Sequence, residues 1–220
     1  MRYQRGSAGV LLLVVESLGS VDGEVVVVVL SELEDLDLPI GKEMPPEDHY
    51  ISVICDDVML TASDVVKLLA LARLHQLSAI QPAVALNHEL SREYGFLRQR
   101  PCVSMHRVPF VEMMAPFMRR DLWDLVLPFN RGKGSGYGLD RFALTTCGAH
   151  LNAWRFAAAD CAPMTHIRRG RTIQKRYRNG LLSKEEEYLV RLRVMLALGF
   201  NVDLHTYERL EAAVASAIRA

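Results

Sequence analysis

The residues best suited to chemistry lie where an apolar run stops, in YISVICDDV (residues 50–58). A strand that ends in adjacent carboxylates delivers Asp56 and Asp57 to the carboxyl edge of a sheet, where ligands bind in open α/β folds. Two neighbouring acids repel unless a cation or hydrogen bonds offset their charge. Oxygen donors of this kind suit Mg²⁺ or Mn²⁺, which can in turn hold a diphosphate. A solvated turn after a strand accounts for the same dipeptide. Glu112 is the lone acid in PFVEMMAP (109–116); inside so apolar a stretch it must face solvent or bond to something buried. One reading has it receive a sugar hydroxyl, the other has it pair with an arginine.

Two later segments add candidates. In SGYGLDRF (135–142) the glycines let the backbone approach a ligand, and Asp140 sits where that loop meets a helix. A carboxylate there can act as general base toward a hydroxyl, or it can simply cap the helix. The glycine spacing in NRGKGSGYG (130–138) fits no Walker A loop and follows no strand, so a phosphate-loop reading lacks support. In PMTH (163–166), His166 precedes the basic run RRGRTIQKRYR (168–178). The histidine is a candidate metal ligand, and Arg168, Arg169 and Arg171 are candidate phosphate clamps. A surface histidine beside a solvated charged face explains the segment equally. RNA binding is a further option, with little aromatic interleaving and a formal net charge of zero against it.

These residues need a scaffold. The 220 residues, half of them hydrophobic and 24% charged, suit one soluble globular domain with or without a helical appendage. Two β-branched runs, 9–15 and 24–30, open the chain around a turn-like GSVDG (19–23). VVVVV cannot alternate polar with apolar, the habit of a strand covered on both faces in a parallel sheet. A third strand, 49–55, leads to the acids. Ser63 caps the next helix, whose apolar face holds Val65, Leu68, Leu69 and Ala72 and which ends near His75. A strand over 77–82 stops at Pro82, and strand–helix–strand order makes this an α/β unit.

Residues 86–107 read as a long loop, 120–127 and 139–147 as helices, and 153–159 as a return to the sheet. Ser183 and Glu186 form a capping-box pattern ahead of a helix over 185–197, and a second helix runs from about Thr206. The division this implies is a domain over 1–180 and a helical extension over 181–220, the latter able to serve a partner. The four cysteines form no CxxC pair, which points to a reducing, cytoplasmic setting. The opening MRYQRGSAGVLLLVV has the basic-then-apolar order of a signal peptide, but a buried strand closed by Glu16 explains it as well. No apolar run approaches the roughly 20 residues that span a bilayer.

Taken in order, strand-DD-V, helix, QPA, FVEMMAP, GxGLD and a late TH resemble a glycosyltransferase of the GT-A fold, over about residues 50–169. More narrowly the chain is similar to a glycosyltransferase-like family known mainly as a domain of unknown function. The resemblance implies a GT-A-like mixed sheet flanked by helices, a nucleotide-sugar donor and a hydroxyl acceptor. It implies Mn²⁺ or Mg²⁺ held by Asp57, Asp56 and His166, and Asp140 with Glu112 at the acceptor. Two departures bear on activity. Cys55 stands where relatives carry an acid, and the part ahead of Asp56 is short for a nucleotide-binding half. Tyr137 replaces a common tryptophan and keeps an aromatic face. An inactive descendant that binds carbohydrate or protein is the alternative.

Overall fold

A computed structural model describes residues 10–15, 25–30, 50–55, 58–86, 94–133, 135–150, 155–166, 176–177 and 179–218. It is an α/β structure built on one mixed sheet flanked by helices. Strands β1 (Val10–Val15), β2 (Val25–Leu30) and β3 (Tyr50–Cys55) are followed by the two-residue β4 (Val58–Met59). Then come helix α1 (Ala62–Leu74), β5 (Ala79–Val84), β6 (Met105–Arg107) and β7 (Phe117–Arg119). Helix α2 (Arg120–Val126) leads to a π-helical segment, Leu139–Leu144, that runs into α3 (Thr145–His150). The long β8 (Phe156–His166) and the helices α4 (Ser183–Ala197) and α5 (Leu204–Ile218) complete the order.

The sheet order is β2-β1-β3-β7-β5-β8-β4, with β6 also paired to β8. β7 is antiparallel to both β3 and β5, and β5 is parallel to β8. So β3, β5 and β8 run the same way, and their carboxyl ends (Cys55, Val84 and His166) share one edge. The valine-rich β2 departs from its expected parallel setting: it pairs antiparallel with β1, which is itself antiparallel to β3. A hairpin needs only a short connection, whereas a parallel pair needs a crossover of a dozen or more residues. The nine residues from 16 to 24 suffice only for the first.

Several expected boundaries also move. The cap of α1 is Thr61, not Ser63: its hydroxyl accepts from Asp64 N at 3.1 Å while Asp64 accepts from Thr61 N at 3.1 Å. β5 continues through Pro82 to Val84, because β7 leaves the ladder after Ile80 and the register with β8 shifts between Pro82 and Val84. A residue without N–H is tolerated where a ladder is interrupted. The stretch expected as loop, 86–107, holds a 3₁₀ turn (Gly95–Leu97) and β6. At α4 the expected pair of Ser183 and Glu186 gives way to its neighbours: Leu182 N donates to the Glu185 carboxylate at 2.9 Å. That leaves Glu186 to turn inward, where it is fully buried.

The core gathers Ile51 and Val53 of β3, Leu68 and Leu69 of α1, Ile80 of β5, Phe117 of β7 and Phe156 of β8. Val190 and Val194 of α4 belong to the same core, while Leu189 and Leu192 pack with Leu210 and Val214 to join α4 to α5. Among the described residues no helix is long and apolar enough to cross a membrane. Where β6 pairs with β8, the buried His106 and Asp160 are hydrogen-bonded, Nδ1 to Oδ2, at 2.8 Å. The other ring nitrogen meets Phe96 O at 2.8 Å, so it must carry hydrogen, and Arg100 N donates to Asp160. This cluster satisfies the polar groups of the 94–107 connection, which an apolar core alone would leave unpaired.

Close packing at α3 makes a glycine there indispensable. A Cβ added at Gly148 in α3 would stand 2.7 Å from Cζ of the buried Phe156, whereas one at Gly95 meets nothing within 4 Å. Overpacking of about 1–3 kcal/mol outweighs the roughly 1 kcal/mol of helix propensity that alanine brings. Gly148→Ala should therefore lower the urea midpoint, by about 1–2 kcal/mol of stability, and Gly95→Ala should leave it within about 0.5 kcal/mol.

Candidate functional site

The segment 108–116 runs as irregular backbone between β6 and β7, and three hydrogen bonds hold it against the sheet. Val108 N donates to Phe156 O at 3.1 Å, and Cys55 N donates to Met114 O at 2.8 Å. Between them Glu112 N donates to the side-chain oxygen of Gln81. Gln81 is fully buried in β5, just where the ladder to β7 ends, so its amide takes the place of a strand partner. Three motifs that are far apart in sequence (the end of β3, QPA and FVEMMAP) are thereby tied together.

The same anchoring aims the Glu112 carboxyl at a fourth motif. Asp140 is the second residue of the π-helical segment that follows Gly138, whose φ of 85° lies in the left-handed region. Its Oδ1 accepts from Arg141 N at 2.7 Å, and its carboxyl is in hydrogen-bonding contact with Glu112. Both acids are 9% exposed. Burial pushes the Glu112 carboxyl up to about 9, and the charge and hydrogen bond of Asp140 push the same way. Glu187 adds to the rise and Arg141 opposes it. Two acids in such contact cannot both ionise cheaply, so Glu112 keeps its proton near neutral pH. A dyad of this kind can hold a hydroxyl and take its proton.

Aromatic side chains border the pair. The Arg141 guanidinium lies over the Phe110 ring, 5.7 Å from its centroid, and Phe110 packs on Phe96 at 4.7 Å between centroids. On the inner side is a group that sequence reasoning missed. Lys133, in the middle of the glycine loop, is fully buried. Its ammonium donates to Tyr137 O at 2.7 Å, Ser135 O at 3.4 Å and Asn130 Oδ1 at 3.5 Å. Desolvation brings its amine down to about 7, against the opposing pull of the buried Glu186. Glu186 accepts from Ser135 Oγ and from Asn179 Nδ2, the latter at 2.7 Å. A lysine among glycines reads as a solvated cation, and nothing in its spacing signals burial.

Asp56, Asp57, Arg168, Arg169 and Arg171 lie outside the described residues. What is described is their frame. Val58, the residue after Asp57, is the ladder partner of His166, and Met59 that of Thr165. Among the described residues no three His, Cys, Asp or Glu side chains gather as a metal-binding group. The Cys55 thiol, which interrupts the acidic spacing, donates to Met113 O at 3.7 Å. The chain matches no known family model, no curated protein and no solved structure.

The raised Glu112 carboxyl fixes the sign of a pH effect. Between about 4.5 and about 9 the folded protein keeps a proton that the unfolded chain has released. Its contribution to stability therefore falls as pH rises, by up to about 1.4 kcal/mol per unit. Lys133 acts in the opposite sense from about 7 to 10.5, because there the unfolded chain holds the extra proton. The two slopes oppose each other between about 7 and 9. Glu112→Gln removes only the first, so its melting temperature should gain on wild type steadily from pH 5 to 9. Parallel curves over that range would contradict the buried dyad.

Proposed function

We propose that the chain is a metal-dependent glycosyltransferase of the GT-A kind, moving a sugar from a nucleoside-diphosphate donor to a hydroxyl acceptor. The observation that supports this reading most is the dyad Glu112–Asp140, fastened through Met114 to the strand that leads into Asp56 and Asp57. This tie supports a reading in which the acid pair and Asp56-Asp57 serve one site. The backbone of His166 is the ladder partner of Val58, the residue that follows Asp57.

The donor set suits a hard divalent cation, with Asp57, Asp56 and His166 as the residues that would hold Mn²⁺ or Mg²⁺. Such a cation, when bound, offsets the charge on a departing diphosphate. The rest falls to the chain itself. Arg168, Arg169 and Arg171 would bind phosphate oxygens as charge-assisted donors. Asp140 and Glu112 would orient the acceptor hydroxyl and receive its proton, since a dyad already holding one proton has a carboxylate free to accept another. Tyr137 would offer its ring to a sugar. Four free cysteines fit a reducing, cytoplasmic setting.

One observation favours a second reading, a carbohydrate- or protein-binding module without transfer activity. The strands ahead of Asp56 form an antiparallel hairpin, not the parallel strand–helix–strand unit that usually cradles a nucleotide. Glycan binding without metal, together with no hydrolysis of sugar nucleotides, would favour the module.

For the enzyme, Mn²⁺ with a nucleoside diphosphate should raise the melting temperature. At about a hundredfold excess over Kd the gain is about 2.7 kcal/mol, or several degrees for a chain of this size. Asp57→Ala should abolish the shift. Failure of every common nucleoside diphosphate to produce one would overturn the donor assignment.

A further inference from the structure

The glycine loop is held from within by a charged side chain that touches no solvent, and its position relative to the dyad is specific. Lys133 Nζ makes its shortest bond, 2.7 Å, to the carbonyl of Tyr137. The next residue is Gly138, and two residues further on is Asp140. The carbonyl of Gly138 accepts from Phe142 N at 3.1 Å, starting the segment that carries Asp140. From the other side, α4 closes on the same turn: a Cβ at Gly138 would stand 3.0 Å from Glu187 O. The turn is therefore clamped between the ammonium and the α4 backbone.

An ammonium has three protons to give, and here three oxygens receive them. The bonds to Ser135 O and Asn130 Oδ1 spread the hold over the whole of the loop. Its nearest compensating charge, Glu186, is bound by Ser135 Oγ and Asn179 Nδ2, and Asn179 Nδ2 also donates to Gly132 O at 3.1 Å. Stability alone does not call for such a device, because a buried ion pair is often no better than apolar packing. What an ammonium provides is a fixed point for carbonyls that would otherwise turn toward water.

We infer that Lys133 is a positioning residue for the acid pair: through the Tyr137 carbonyl and the Gly138 turn it holds Asp140 against Glu112, with Glu186 as its buried counter-charge. The role rests on reading Glu112 and Asp140 as the acceptor-side acids. Its test does not depend on sugar transfer.

The test follows the Glu112 side-chain carboxyl by ¹³C NMR across pH, with the signal assigned by its loss in Glu112→Gln. The charged groups facing Glu112 are Asp140, Arg141 and Glu187. In Lys133→Met two effects have opposite signs. Loss of a nearby cation would by itself move carboxyl titrations upward. Release of Asp140 from Glu112 removes a close like charge and moves the Glu112 titration down, toward the ordinary glutamate range. We expect a fall of about one pH unit or more. A Glu112 titration that is unchanged or raised in folded Lys133→Met would overturn the inference, and Lys133→Gln is read the same way should the methionine variant not fold. The unsubstituted protein gives a second reading. The Gly138 and Asp140 amide shifts should follow the ¹⁵N titration of Lys133 Nζ with the same midpoint, and amides that move independently of it would equally overturn the role. A thermal shift with Mn²⁺ and a nucleoside diphosphate, run on the same variants, keeps the two questions apart. Its absence in wild type counts against the donor assignment and leaves the titration result standing.

Discussion

Two carboxyl groups in contact inside a protein constrain everything around them, since each raises the cost of ionising the other. Glu112 and Asp140 are brought to that contact by elements with no sequence proximity. One comes on irregular backbone pinned to β3, β5 and β8, the other on a helical segment that starts from a left-handed glycine. The contact holds only if both supports are stiff. Gln81 stiffens the first by giving a buried amide oxygen to the Glu112 N–H at the point where the sheet has a gap. Lys133 and α4 stiffen the second. The π-helical geometry beginning at Leu139 belongs to the same arrangement, for such segments recur at functional sites, where they re-aim side chains.

Burial of ionisable groups divides the molecule into two kinds of polar interior. The His106–Asp160 cluster has each ring nitrogen and both carboxylate oxygens engaged, and it serves the connection that crosses under β8. The Lys133–Glu186 cluster is larger and joins the glycine loop to the segment entering α4. Because α4 also places Val190 and Val194 in the main core and Glu187 acts on Glu112, this helix shares the packing of the site and its electrostatics.

Much of this was legible in the chain, for identifiable reasons. Apolar periodicity located β3, α1, β5 and α4, since each pattern repeats a burial that the fold then realises. The importance of Glu112 could be read from its isolation among apolar neighbours, and that of Asp140 from the glycines around it. That the two would meet could not be read, because the meeting depends on Gln81 and on the sheet order. Lys133 was invisible for a related reason: burial of a cation follows from tertiary packing that no local spacing encodes. The hairpin of β1 and β2 was misjudged because a run of valines specifies a covered strand but not the direction of its neighbour.

β8 changes partners along its length, pairing with β6 near Ala157–Ala159 and with β4 at Thr165–His166. Asp160 sits between these two stretches, anchored to His106 and Arg100 N. A slip of β8 by one residue would send alternate side chains to the opposite face, pulling Asp160 away from its imidazole and leaving a buried polar group without its partner. The hydrogen-bonded pair thus works as an indexing pin. It fixes the phase of β8 where the strand faces β6, on the amino side of the irregularity between Ala159 and Met164.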